Sequence, residues 1–120
     1  MVYHCLLIDG ICCEGLRLAA HALVRVFEDG GDTKAREAMS LASLSGGLAL
    51  ANAKLGAVHG IAGPLGGMLK APHGAICGRL LPFVMEMNIK ALQMREPESP
   101  SLTRYREVAQ VVTFIGKVQF

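Results

Sequence analysis

Between Asn52 and Arg79 the chain reads NAKLGAVHGIAGPLGGMLKAPHGAICGR, and no other stretch limits the fold as strongly. Its glycines and prolines interrupt any long regular element, so the chain must bend or reverse here. The stretch also carries two of the four histidines, His59 and His73. They are 14 positions apart (59 to 73), too far for one helical face, so only a reversal can bring them together. Imidazole is a good ligand for Fe, Zn, Ni or Cu. Read bare, the two residues are either half of a metal site or a pair of hydrogen-bonded, half-buried histidines.

The flanks read as helix. From about Cys5 to Glu28, the residues Leu16, Ala19, Ala20, Leu23, Val24 and Phe27 recur at three and four, an apolar stripe with Arg17, Arg25 and Glu28 opposite. Asp29-Gly30-Gly31 ends this helix, the glycines being able to take the left-handed conformation. Asp32 is placed as the N-cap of a second helix, from about Thr33 to Leu55. Its run MSLASLSGGLALANA is small and aliphatic and implies burial on most sides. Gly46-Gly47 there costs about 1 kcal/mol per glycine relative to alanine, which implies close packing or a bend.

A short helix from Ala57 to Ala62 carries His59, and Pro64 with Gly66-Gly67 makes the turn. A fourth helix runs from Pro72 to about Met94, kinked at Pro82. Arg95 to Pro100 is a loop. A last helix follows, with an apolar stripe of Leu102, Tyr105, Val108, Ala109, Val112 and Ile115. No strand alternation appears. The expectation is an all-α chain of about five helices packed as a bundle-like single domain over residues 1–120.

Composition supports this and excludes several functions. The chain is 52% hydrophobic, drawn from Ala and Leu with few aromatics, which favours helix packing over sheets. A net charge of +2 from scattered Lys and Arg gives no footprint for nucleic acid and no basic amphipathic helix for a membrane surface. The uncharged runs on either side of Lys54 are too short and too polar for a membrane span. The N-terminus lacks the basic region of a signal peptide. Cys5, Cys12, Cys13 and Cys77 form no CxxC pair and read as free thiols of a cytoplasmic protein. No GxGxxG or P-loop is present, and Ser40, Ser43 and Ser45 lie inside a helix without an oxyanion loop. Asp9 and Cys13 form an i,i+4 pair of a kind that helix surfaces carry by chance. His21 reads as a boundary residue of the first helix, and His4 is uninformative.

The run NAKLGAVHGIAGPLGGMLKAPHG, with AREAMSLASLSGG before it and LLPFVMEMN after, resembles the metal-binding helical domain of iron-containing (group III) alcohol dehydrogenases. Within them it is most similar to the maleylacetate reductase-like branch. The resemblance covers roughly Asp9 to Val112. It implies that His59 and His73 are two of four ligands to Fe or Zn. It also implies an NAD(P)-dependent alcohol or carbonyl oxidoreductase, in which the metal polarises the substrate oxygen during hydride transfer. The family's other two ligands, an Asp and a His, lie upstream of the region matching Asp9. The family's nucleotide-binding domain is likewise absent from these 120 residues, and Gly63 stands where many members carry a further His. No catalytic residue is therefore assigned. The expected product is a truncated enzyme, inactive as this chain alone. It would work only with a separate nucleotide-binding chain, or serve as a non-catalytic helical scaffold or a homodimeric metal-binding module that pools two His59/His73 pairs.

Overall fold

The structure, a computed structural model, describes residues 6–53 and 55–116, with side chains through Thr113. His4, Cys5 and the side chain of Ile115, which the sequence reading placed, lie outside the described residues. Five helices follow one another: α1 (Leu6–Glu28), α2 (Thr33–Asn52), α3 (Ala57–Met68), α4 (His73–Arg95) and α5 (Pro100–Gly116). Among the described residues there is no strand. None of these helices alone is long and apolar enough to cross a membrane. The chain divides into two compact units, Met1–Ala53 with Arg106–Phe120, and Lys54–Tyr105.

In the first unit α1 packs against α2. The sheltered face of α1 is Ile8, Ile11, Gly15, Leu18, Ala19, Ala22 and Val26, and that of α2 is Ala35, Ala38, Ala42, Ser45 and Ala49. Both follow a three-and-four spacing in which small residues lie closest to the partner. Gly15 shows why. A Cβ placed there would fall 2.7 Å from the Cβ of Ser45, so the helices approach more closely than an alanine would permit. This corrects the expected α1 stripe. Leu23, Val24 and Phe27 are 57%, 61% and 89% exposed, because the small-residue line rather than the bulky one sets the contact. It also corrects the expectation for α2, which is not buried on most sides. Leu41, Leu44, Leu48 and Leu50 are exposed, and among the described residues nothing lies within 4 Å of a Cβ built at Gly46 or Gly47.

The α1–α2 turn is closed by side chains. Asp29 Oδ1 accepts the Gly31 amide at 2.8 Å, and Asp32 Oδ1 accepts the Ala35 amide at 2.9 Å as the expected N-cap. No glycine among the described residues has a positive φ, so the expected left-handed closure does not occur. An aspartate-centred turn replaces it. Arg25 donates to Asp32 Oδ2 through Nε at 3.1 Å and Nη2 at 2.5 Å, tying the end of α1 to the start of α2.

In the second unit α3 packs against α4, and Ala62 and Ile76 are the buried residues of the two helices. The expected stop at Ala62 is overridden, and α3 continues through Pro64 to Met68. Gly63 has no Cβ to meet the proline ring, which removes much of the usual penalty before proline. The reversal therefore falls at Leu69–Pro72 instead of Gly66-Gly67. The Leu69 amide caps Leu65 O at 2.9 Å, and the Ala71 amide bonds Leu69 O at 2.8 Å. Pro72 is the N-cap of α4, which runs unbroken past Pro82. Tyr105 at the start of α5 accepts from Asn88 Nδ2 at 3.3 Å, and Leu102 is buried. Farther along the expected α5 stripe, Ala109 and Val112 are exposed.

Two predictions follow from the first unit. Gly15→Ala gains about 1 kcal/mol of helix propensity but incurs about 1–3 kcal/mol of overpacking, so its midpoint of thermal unfolding falls. Gly46→Ala gains the propensity alone and its midpoint rises; the reverse order in circular-dichroism melts contradicts the close approach. The Asp32 carboxyl is held below its ordinary value, first by the Ala35 amide and then by Arg25. Its charged form therefore stabilises the fold at neutral pH, and this contribution is lost as pH falls below about 4. The stability gap between wild type and Asp32→Asn closes over that range, and a gap independent of pH contradicts the assignment.

Candidate metal centre

His59 occupies the first turn of α3, and His73 is the first residue of α4. Spacing puts His59 on the same face of α3 as Ala62 and Gly66. On α4, Ile76 and Cys77 lie one turn beyond His73. Gly66 faces Ile76, and a Cβ there would meet Ile76 Cδ1 at ordinary contact, 3.7 Å. The packing of α3 on α4 thus does what the sequence required of a reversal. The His59 and His73 rings meet with centroids 5.6 Å apart and planes at 49°. Both rings are exposed, not half-buried.

Sequence reading missed the third member. Cys77 is partly buried, and its Sγ lies 3.4 Å from His73 Nε2. One ligand-type atom from each of His59, His73 and Cys77 falls within 4.8 Å of the others. The i,i+4 spacing in PHGAIC was the available signal. Among the described residues no other three His, Cys, Asp or Glu side chains converge this way. His21 is exposed on α1. Cys12, Cys13 and Cys77 are not in disulfides.

The donor set fits a divalent ion. A tetrahedral site with metal–nitrogen bonds of about 2.0–2.1 Å and a metal–sulfur bond of about 2.3 Å has nitrogen–sulfur edges of about 3.5 Å. The His73–Cys77 separation already matches that edge, and His59 needs a shift of roughly an ångström. The electrostatics are one-sided. From Ala38 to Met85 the chain has no Asp or Glu. Arg79 stacks over Phe83 with its guanidinium carbon 5.2 Å from the ring centroid.

Comparison with known proteins bears on this geometry. The profile of the Fe-containing alcohol dehydrogenase family, C-terminal part, matches residues 5–119. Alcohol dehydrogenase 4 of Saccharomyces cerevisiae is 42% identical over 82 residues, 68% of this chain and 22% of that protein. A 1,3-propanediol dehydrogenase of Citrobacter freundii is 42% identical over 83 residues, 69% of this chain and 21% of its own length. An NADPH-dependent butanol dehydrogenase of Clostridium saccharobutylicum is 31% identical over 108 residues, 90% of this chain and 25% of its own length. The chain thus spans about a fifth to a quarter of the curated relatives it matches. No solved structure matches at a significant level.

Ile76, 6% exposed, is the side chain whose loss most directly loosens the two histidines. Ile76→Ala is expected to destabilise the chain by about 2 kcal/mol, the low end of large-to-small core changes, since Ala62 is the other buried residue of the helix pair. A denaturant midpoint equal to wild type contradicts that role.

Proposed function

Because this chain belongs to the Fe-containing alcohol dehydrogenase family, we propose that it contributes the metal-holding part of an NAD(P)-dependent alcohol or carbonyl oxidoreductase. The observation that carries the proposal is the meeting of His59 and His73 across the α3–α4 packing. His59 and His73 hold Fe or Zn, and their exposure leaves the ion reachable from outside the unit. The ion, when bound, supplies Lewis acidity toward a substrate oxygen. The named relatives favour a short alcohol or the matching aldehyde as substrate. The chain's own share is positional, since two imidazoles fixed on different helices define the ion's place relative to whatever carries the nicotinamide.

These 120 residues contain no GxGxxG turn, so the nicotinamide is held by other protein, either further residues of the same enzyme or a separate nucleotide-binding chain. A large exposed apolar surface fits such a neighbour. A cleft of 500 Å³ between α1 and α2 is lined by Leu6, Leu7, Ile11, Leu41, Leu44 and Leu48. Phe27 and Leu6 are 89% and 88% exposed. Isolated domains rarely leave so much apolar surface uncovered. The same surface favours a second reading, a homodimeric scaffold without turnover. Cys12, Cys13 and Cys77 are in no disulfide, which supports a cytoplasmic setting for either form.

The purified chain, given Fe²⁺ or Zn²⁺, is expected to bind one ion and to reduce neither NAD⁺ nor NADP⁺ with butanol or 1,3-propanediol. His59→Ala and His73→Ala each lower the bound metal. Equal metal content in the three proteins removes the metal-holding role, and steady turnover by the chain alone removes the dependence on other protein.

A further inference from the structure

The cluster gives Cys77 a place that the two-histidine reading leaves unused. We propose that Cys77 is a reversible modification site that gates the metal centre. Reduced, it leaves the ion's place open. Joined to a small thiol through a disulfide, it closes that place. The proposal deepens the metal-holding role of His59 and His73 and rests on it.

Position carries the argument. Cys77 Sγ lies 3.4 Å from His73 Nε2. One ligand-type atom from each of His59, His73 and Cys77 falls within 4.8 Å of the others. An ion shared by the two imidazoles stands about 2.0–2.1 Å from each nitrogen, so its place is beside Sγ whether or not sulfur bonds to it. Side chains on a helix lean toward its N-terminus, so Cys77 leans over the turn that begins with His73. A disulfide adds a second sulfur about 2.05 Å from Sγ, with the rest of the attached thiol beyond it. Ile76, 6% exposed, closes the packed side of α4, whereas the His73 ring is exposed. The added group therefore extends along the side on which His73 presents its nitrogen.

The step is thiol–disulfide exchange with a low-molecular-weight disulfide such as oxidised glutathione. The Cys77 S–H bond and the reagent's S–S bond break. A new S–S bond forms, and the proton leaves with the departing thiol. The Cys77 sulfur is oxidised and the departing sulfur reduced, so no further oxidant is needed. A reducing thiol reverses the exchange.

The 120-residue chain with Cys5→Ser, Cys12→Ser and Cys13→Ser keeps Cys77 as its one thiol and gives the direct test. Zinc affinity is measured before and after treatment with oxidised glutathione, with the adduct counted by mass spectrometry. The adduct should weaken zinc binding by more than the ~10–100-fold that loss of an outer-shell partner costs, because it takes His73 from the ion. Dithiothreitol should restore the affinity, and unchanged helical circular dichroism shows that the loss is not one of folding. In a Cys77→Ser chain the same treatment should leave zinc affinity as it was before treatment. A further measurement needs no variant. In wild type, zinc should slow adduct formation at Cys77 and leave that at Cys12 and Cys13 unaltered.

Zinc affinity equal with and without the adduct overturns the gate. So does a loss that the Cys77→Ser chain shares, a Cys77 that forms no adduct, or adduct formation at Cys77 indifferent to zinc. In each case zinc binding that depends on His59 and His73 leaves the metal-holding role standing. Failure of wild type to bind zinc removes both.

Discussion

The packing of α3 on α4 is the constraint on which the candidate site depends. His59 and His73 belong to different helices, and neither could hold an ion alone. They meet because Ala62 and Ile76 are buried as α3 packs on α4. Ala62 and Ile76 are the fully buried residues of this helix pair, with Val58, Leu65 and Leu80 partly buried on the same helices. Continuation of α3 through Pro64 belongs to the same arrangement. It moves the reversal to Leu69–Pro72, so that Pro72 starts α4 with His73 as its first residue.

The first unit depends on closer approach. Gly15 and Ser45 bring α1 and α2 together along a small-residue line, and the leucines are left outside. Only Ile76 and Leu102 among the larger apolar side chains are buried in the described residues. The exposed leucines leave a large apolar surface on α1 and α2.

Much of this was legible in the sequence. Three-and-four periodicity located α1, the Asp32 cap located the start of α2, and Ser99-Pro100 located α5. The NAKLGAVHGIAGPLGG and PHG motifs pointed to the family and to His59 and His73. Three features were not legible, each for a physical reason. Apolar periodicity shows which residues dislike water but not which partner covers them, so Leu23, Val24 and Phe27 were assigned to a contact that Gly15 and Ala22 make. Pro64 was read as a stop because its effect depends on a neighbour's missing Cβ as much as on its own ring. Cys77 was not legible because an i,i+4 spacing from one histidine carries little signal by itself. Its i,i+4 relation to His73 becomes chemistry only once α3 delivers His59 to the same place.

The account stands on one ion being held by both histidines at once. Histidine ring-nitrogen NMR of the chain during a zinc titration reads this directly. The account predicts that the His59 and His73 signals change together and saturate at one equivalent, while the exposed His21 on α1 is unmoved. Saturation with only one of the two perturbed, or with neither, contradicts it.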